Sequence, residues 1–315
     1  MPEDVGQTEP PFDVANVIRV RAPELSEAVA AAGADTILVG LIGTDIQRSR
    51  SPAMHEREGA ALGIRLTYKL LDLNVLGLPI EALGDLIAWA EGAGFAGLNV
   101  THPCKQAAVN FVDALSDDAE TIGAINTVVF KDGTRTGHNT DCSGFGESFR
   151  RESVGLAKER VVLLGAGGAG SAVAHALLLN SVGTLAVHDL DAARADQLAK
   201  RLCRSFGAGR AIAASDISAA LTETNGLVNA TPKGTDVYPG MPIDPALIRQ
   251  DMWVADINYF RAETELLAAA RKIGCRTNAG KGMAVFQAAH AFELFTGRKP
   301  DATRMERHFD AAPRA

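Results

Sequence analysis

Short apolar runs and amphipathic stretches alternate along most of this chain. The run Thr36-Ile37-Leu38-Val39-Gly40-Leu41-Ile42-Gly43 is apolar after its first residue and stops at a glycine, the pattern of a strand covered on both faces. Further strands are expected at 67–73 and 95–100. Helices are expected at 24–32, from Ser51-Pro52 onward and at 81–91. Ser51 suits the N-cap of the second of these, and Pro52 its first helical position. Asn126–Phe130 and Thr134–His138 flank Asp132-Gly133, a hairpin signal. A linking helix follows at 143–152.

From Arg160 onward strand and helix alternate more regularly. Strands are expected at 161–164, 184–188, 226–229 and 253–257, with helices at 169–180 and 192–204. Such alternation predicts a doubly wound parallel sheet. A last long helix at 282–296 is apolar around much of its circumference and should pack back between the domains. The expected fold is α/β with two domains. An N-terminal α/β substrate domain with a mixed sheet takes residues 36–142 and 283–315. A Rossmann-type doubly wound dinucleotide-binding domain takes 143–282. Residues 1–35 form an extension whose first 20 or so, rich in Pro, Glu and Asp, read as a loose tail.

Composition narrows the function. With 315 residues, 47% hydrophobic and 22% charged, the chain is long and apolar enough for two cores. A formal net charge of -7 argues against nucleic acid or an anionic membrane as partner, though not against a small anion met by local donors. The four cysteines form no CxxC pair, and neither they nor His55, His102 and His138 have metal-ligand spacing. No metal is therefore expected. Reduced thiols, an acidic start and the lack of a long apolar span suggest a cytoplasmic protein.

The candidate chemistry lies at strand ends. Gly165, Gly167, Gly168, Ala169 and Gly170 follow an apolar strand and open an Ala-rich helix, the context in which glycines let a backbone approach a pyrophosphate. Asp189 ends the next strand 24 residues after Gly165, where a carboxylate can accept from ribose hydroxyls and repel a 2′-phosphate. NAD is thus expected rather than NADP. Arg194 is close enough in sequence to stack on adenine or meet a phosphate. A ligand-free turn capped by Asp189 is the plain alternative. Earlier in the chain, Lys105 and Asp141 could hold a hydroxyl and exchange its proton while hydride leaves the same carbon; an ordinary ion pair is the alternative there.

Several motifs occur in a fixed order: Ser49-x-Ser51-Pro52, Asn99-x-Thr101-x-Pro103-x-Lys105, Gly123-Ala124-Ile125-Asn126-Thr127, Gly137-His138-Asn139-Thr140-Asp141, the glycine turn, Asn229-Ala230-Thr231-Pro232-x-Gly234, and Gly280 through Gln287. In this the chain resembles the shikimate dehydrogenase family, most closely its quinate/shikimate dehydrogenase branch. The resemblance implies reversible oxidation of a ring hydroxyl of quinate or shikimate, without metal. It implies that Ser49 and Ser51 bind the substrate carboxylate with Tyr259 nearby. Thr101, Asn126 and Gln287 would hold hydroxyls beside Lys105 and Asp141. Asn229, Thr231 and Gly280 would line the nicotinamide end of the cofactor. Family members occur as monomers and homodimers. Asn126 and Asn139 also suit caps, Ser49 and Ser51 N-caps, and Gln287 a buried amide. The chain departs from the family pattern at Arg48, Arg261 and Thr235, and His188-Asp189-Leu190 replaces the Asn-Arg-Thr common in NADP users. An NADP-dependent biosynthetic shikimate dehydrogenase and a non-catalytic dinucleotide-binding regulator are the rival readings.

Overall fold

Two six-stranded sheets organise the chain, and each functional loop leaves one of their edges. The computed structural model describes residues 12–152, 159–259 and 263–311. In the first sheet β1 (Thr36–Gly43) lies between β2 (Arg65–Asp72) and β3 (Gly97–Val100), parallel to both. Its last six residues are all buried, as expected for a strand covered on two faces. The short β4 (Ala114–Leu115) runs along the far edge. β5 (Thr127–Lys131) and β6 (Thr134–His138) form the hairpin, and β5 pairs antiparallel with β3. Asp132 and Gly133 both have positive φ, 52° and 73°, which a two-residue turn of this hand requires. The sheet is therefore mixed, in the order β2-β1-β3-β5-β6-β4.

The second sheet is wholly parallel. It contains β7 (Arg160–Leu164), β8 (Thr184–His188), β9 (Ala211–Ala213), β10 (Gly226–Asn229), β11 (Trp253–Asp256) and β12 (Arg276–Ala279) in the order β12-β11-β10-β7-β8-β9. That order reverses between β7 and β10, so the loops after these strands diverge and leave a crevice at their carboxyl ends. Strands β9 and β12 are not expected from the pattern. Ala211-Ile212-Ala213 has only Ala211 buried, and Arg276–Ala279 begins on an exposed arginine, so neither edge strand carries a long apolar run.

Two helices join the sheets. Thr140–Glu152 leaves the first sheet, and Lys281–Thr296 returns from the second and packs along it. Gly144 makes the crossing close: a Cβ there would lie 2.5 Å from the Gln287 backbone nitrogen. Buried Glu58 accepts from the Arg304 guanidinium and the Asp301 N–H, which fixes the C-terminal helix Ala302–Ala311 against Ser51–Ala61.

The loose-tail expectation is corrected within the described residues. Val14–Arg21 is a helix, and Pro23–Ala30 is the helix expected at 24–32. Val14, Ile18 and Leu25 lie in the core beneath the first sheet with Leu73, Leu83 and Leu86. Asp13 caps the first helix through the Asn16 N–H, and the Val14/Val17/Ile18 spacing was its sequence signal. At Ser51–Ala61 the N-cap is Arg50 and not Ser51; the Ser51 N–H instead donates to Ser49 Oγ at 3.2 Å.

Candidate active site between the sheets

The loop after β1, the turn after β3, the hairpin and the two joining helices converge on one cleft. All eight residues expected to handle substrate line it: Ser49, Ser51, Thr101, Lys105, Asn126, Asp141, Tyr259 and Gln287. Their convergence has local causes. β1 and β3 are adjacent and parallel, so their carboxyl-end loops emerge side by side. Gly43 admits the turn after β3, because a Cβ there would meet Thr101 Cγ2 at 2.3 Å. The close Gly144–Gln287 crossing brings Gln287 to the cleft opposite Asp141.

Lys105 Nζ donates to Asp141 Oδ2 at 2.5 Å. The carboxylate side chain is 2% exposed and the lysine 17%, so the lysine alone retains some access to water. Asp141 is held by the cap of its helix. Asn139 Oδ1 accepts from the Cys142 N–H, while Asn139 Nδ2 donates to the Ala124 carbonyl. Asn126 Oδ1 accepts from the Thr140 N–H at 2.7 Å and its Nδ2 donates to Thr140 Oγ1. The capping alternative for both asparagines is thus what their side chains do. Asn126 also borders the cleft, so one amide both orients the helix and shapes its floor.

The rest of the wall is polar and largely pre-bonded. The buried Tyr68 phenol donates to Asn99 Oδ1 at 2.8 Å, and Asn99 Nδ2 donates to Thr127 Oγ1 at 3.0 Å. Burial pushes the Tyr68 phenol above its ordinary range, opposed by its bond with Ser51. Tyr259 packs edge-on against Phe309, and burial, reinforced by the Asp141 charge, pushes its phenol up to about 12, so it stays a donor at neutral pH. Gln287 Oε1 and His55 Nε2 are buried and have no hydrogen-bond partner. Buried acceptors of this kind cost free energy until a ligand supplies donors. His55, Asn99 and Thr140 line the cleft although the motif reading assigned them no role. His55 had a signal: four residues after Ser51 on a helix, it must share Ser51's face.

The glycine turn lies against this cleft. A Cβ on Gly168 would be 3.1 Å from Lys105 Cβ, so the turn that follows β7 touches the lysine from the other sheet. Gly165 has φ 97°, and a Cβ on Gly170 would lie 2.0 Å from the Gly165 carbonyl, so both are needed to make the strand-to-helix turn. A Cβ on Gly167 would meet nothing within 4 Å. The helix Gly168–Leu179 has no side-chain cap, which leaves the first-turn N–H groups of Gly168, Ala169 and Gly170 directed at that open space. These features fit a dinucleotide pyrophosphate. Asp189 Oδ2 accepts from the Ala166 N–H at 2.7 Å and Oδ1 from the Asp191 N–H, so the carboxylate fastens the glycine turn from the end of β8. Arg194 is exposed and pairs with Asp191 at 3.4 Å.

Asn229 differs from its expected part. It is fully buried and its amide is spent inside the chain: Nδ2 donates to the Lys233 carbonyl and Asp256 Oδ1, and Oδ1 accepts from the Thr231 N–H and hydroxyl. Asn229 and Thr231 therefore shape the loop after β10 through their side chains. Gly280 is pressed on Ile257, whose carbonyl would lie 2.2 Å from a Cβ. Arg48, on the loop after β1, pairs with Asp236, on the segment after β10, at 3.6 Å. Arg261 lies outside the described residues. Among the described residues no group of three or more His, Cys, Asp or Glu could hold a metal ion, and no helix is long and apolar enough to cross a membrane.

A parallel nucleotide-type sheet facing a mixed-sheet domain, with a Lys–Asp pair where they meet, defines a two-domain α/β oxidoreductase. Residues 41–128 match the shikimate dehydrogenase substrate binding domain and 280–308 the shikimate 5'-dehydrogenase C-terminal domain. The shikimate dehydrogenase (NADP(+)) of Streptomyces avermitilis is 52% identical over 86% of this chain and 94% of its own. The quinate/shikimate dehydrogenase (NAD(+)) of Corynebacterium efficiens is 44% identical over 87% and 98%. The solved structure of quinate dehydrogenase from Corynebacterium glutamicum in complex with NAD superposes with a TM-score of 0.82 at 43% identity, covering 88% of this chain and 99% of that one. The chain belongs to the shikimate dehydrogenase family.

Proposed function

We propose that this protein is an NAD-dependent quinate/shikimate dehydrogenase. The observation that carries the reading is the contact of Gly168, in the glycine turn, with Lys105, whose ammonium pairs with Asp141 inside the substrate cleft. A donor–acceptor pair beside a dinucleotide cradle suits hydride transfer from a secondary alcohol. Ser49, Ser51 and Tyr259 bind the carboxylate of the acid. Thr101, Asn126 and Gln287 hold ring hydroxyls. The reacting hydroxyl lies against the Lys105–Asp141 pair, which takes up its proton as the carbon–hydrogen bond breaks and passes it to solvent. A nicotinamide cofactor held at the glycine turn would supply the hydride acceptor. Gly165, Gly167, Gly168, Ala169 and Gly170 meet the pyrophosphate, Asp189 the ribose and Arg194 the adenine side.

Asp189 supports NAD, since its carboxylate would repel a 2′-phosphate. NADP-dependent shikimate oxidation is the second reading, favoured by the 52% identity to the Streptomyces enzyme. Residues 36–142 with 283–315 serve the acid, and 143–282 the dinucleotide. We place the protein in the cytoplasm, as monomer or homodimer, acting on a small molecule and not on nucleic acid. The test is initial rates with quinate or shikimate and NAD or NADP, read from absorbance of the reduced nicotinamide. Turnover of both acids with NAD alone is expected. Turnover of shikimate with NADP alone would select the second reading, and four inactive combinations would refute both.

A further inference from the structure

The buried imidazole of His55 has no part in the chemistry above, yet it borders the substrate cleft. Its Nδ1 lies 2.9 Å from the Ser51 carbonyl. A carbonyl can only accept, so Nδ1 carries the proton. Burial holds the ring pKa down at about 4, against a smaller upward pull from that bond, so the ring is neutral at physiological pH. Nε2 is then a bare lone pair, and it has no partner. The residue is 1% exposed and packed near Tyr68, Phe292 and Phe295, so water does not freely serve it.

The Tyr68 and Ser49 oxygens at this end of the cleft are already bonded within the chain. The Tyr68 phenol takes a bond with Ser51 and donates to Asn99. Ser49 Oγ accepts from the Ser51 N–H. Gln287 Oε1 is also unpartnered, but it lies on the helix that crosses beside Asp141. The unpaired acceptor on the serine side is His55 Nε2, one helical turn beyond Ser51. Quinate and shikimate differ at that end: quinate has a hydroxyl on the carbon bearing the carboxylate, and shikimate has a double bond and no such donor.

We propose that His55 Nε2 accepts a hydrogen bond from the hydroxyl on the carboxylate-bearing carbon, and so selects α-hydroxy ring acids within the same site. The inference rests on the quinate/shikimate reading. Two substitutions separate the ring nitrogens. His55→Asn keeps a donor at the δ position for the Ser51 carbonyl and removes the ε acceptor. His55→Gln restores a polar atom at the ε position and gives up the δ donor. With NAD, His55→Asn is expected to lower the quinate-to-shikimate ratio of kcat/KM about tenfold, which corresponds to about 1.4 kcal/mol. His55→Gln should stay within about threefold of the wild-type ratio, since it retains an ε acceptor.

Equal loss for both acids in His55→Asn, or an unchanged ratio, would overturn the inference. So would a wild-type enzyme that oxidises shikimate with NAD but not quinate, which leaves only the shikimate half of the parent reading standing. Inactivity of the wild type toward both acids would instead remove the parent reading. Nitrogen-15 NMR of histidine-labelled wild-type protein needs no variant to fold. Quinate, and not shikimate, should shift the Nε2 resonance of His55 toward that of a hydrogen-bonded acceptor; identical shifts with the two acids would count against it.

Discussion

Replacing Lys105 by Met keeps the length of the side chain and removes only its ammonium. Asp141 is then stranded, because its side chain is 2% exposed and Lys105 is the only cation that forms a salt bridge with it among the described residues. Breaking a buried pair by removing one partner costs about 3–5 kcal/mol. At roughly 2–4 °C per kcal/mol for a chain of this size, the melting temperature should fall by about 6–20 °C. The reverse change is milder. Asp141→Asn strands an ammonium that is 17% exposed and can turn toward water, so about 1–2 kcal/mol is expected. Lys105→Met/Asp141→Asn should recover much of the stability lost by Lys105→Met alone. Activity should not follow stability: each variant should lose about 10²- to 10⁴-fold in kcat, the usual share of a positioned proton-transfer group. The assays are differential scanning calorimetry and steady-state rates on the same preparations. Two results would refute the reasoning: a Lys105→Met protein no less stable than Asp141→Asn, or one that keeps kcat within threefold of wild type.

Three further predictions concern the cofactor side and the thiols. Gly167→Ala should melt within about 1 °C of wild type, because its Cβ enters open space, and yet raise the KM for NAD about tenfold or more by occupying the pyrophosphate's approach; Gly168→Ala should mainly lower kcat, since its Cβ displaces Lys105. A Gly167→Ala enzyme with wild-type KM for NAD would show that the cofactor lies elsewhere. Asp189→Ser should raise the NADP-to-NAD ratio of kcat/KM about 10²-fold by removing a like charge from the 2′-phosphate, and should lose about 1 kcal/mol of stability with the Ala166 N–H bond; an unchanged cofactor ratio would sink the ribose assignment. Burial raises the Cys104 thiol to about 11, and burial with the Asp118 and Asp141 charges raises Cys142 to about 12. A raised thiol pKa means thiolate forms only near those values, so at pH 8 its fraction is about 10⁻³ to 10⁻⁴. Both cysteines should resist a disulfide reagent until the protein unfolds, and rapid labelling of either in the native enzyme would contradict this.

The sequence by itself determined the strands with long apolar runs, the hairpin at Asp132-Gly133 and the position of the glycine turn after β7. Each depends on neighbours a few residues apart: side-chain periodicity, a turn dipeptide, a strand running directly into a helix. The family resemblance carried by its ordered motifs named eight substrate-site residues, and all eight line the cleft. What failed was structure that exists only through distant contacts. Val14–Arg21 is too short to be stable alone and is held by burial of Val14 and Ile18 against a core built some 60 residues later. The edge strands β9 and β12 complete a sheet with little apolar signal of their own.

Tertiary structure alone decided the chemistry of the individual side chains. Asn229 and Asn126 look alike in sequence, each an asparagine in a polar motif. Folding spends the Asn229 amide on its own loop and on Asp256 of the neighbouring strand, and leaves Asn126 bordering the cleft. His55 carried no assignment until packing showed which of its nitrogens is bonded and which is bare. The contact of Gly168 with Lys105 joins residues 63 positions apart on different sheets. Spacing along a chain fixes which groups share a loop or a helix face. Only the packing of one sheet against another fixes which hydrogen-bonding atoms remain for a ligand.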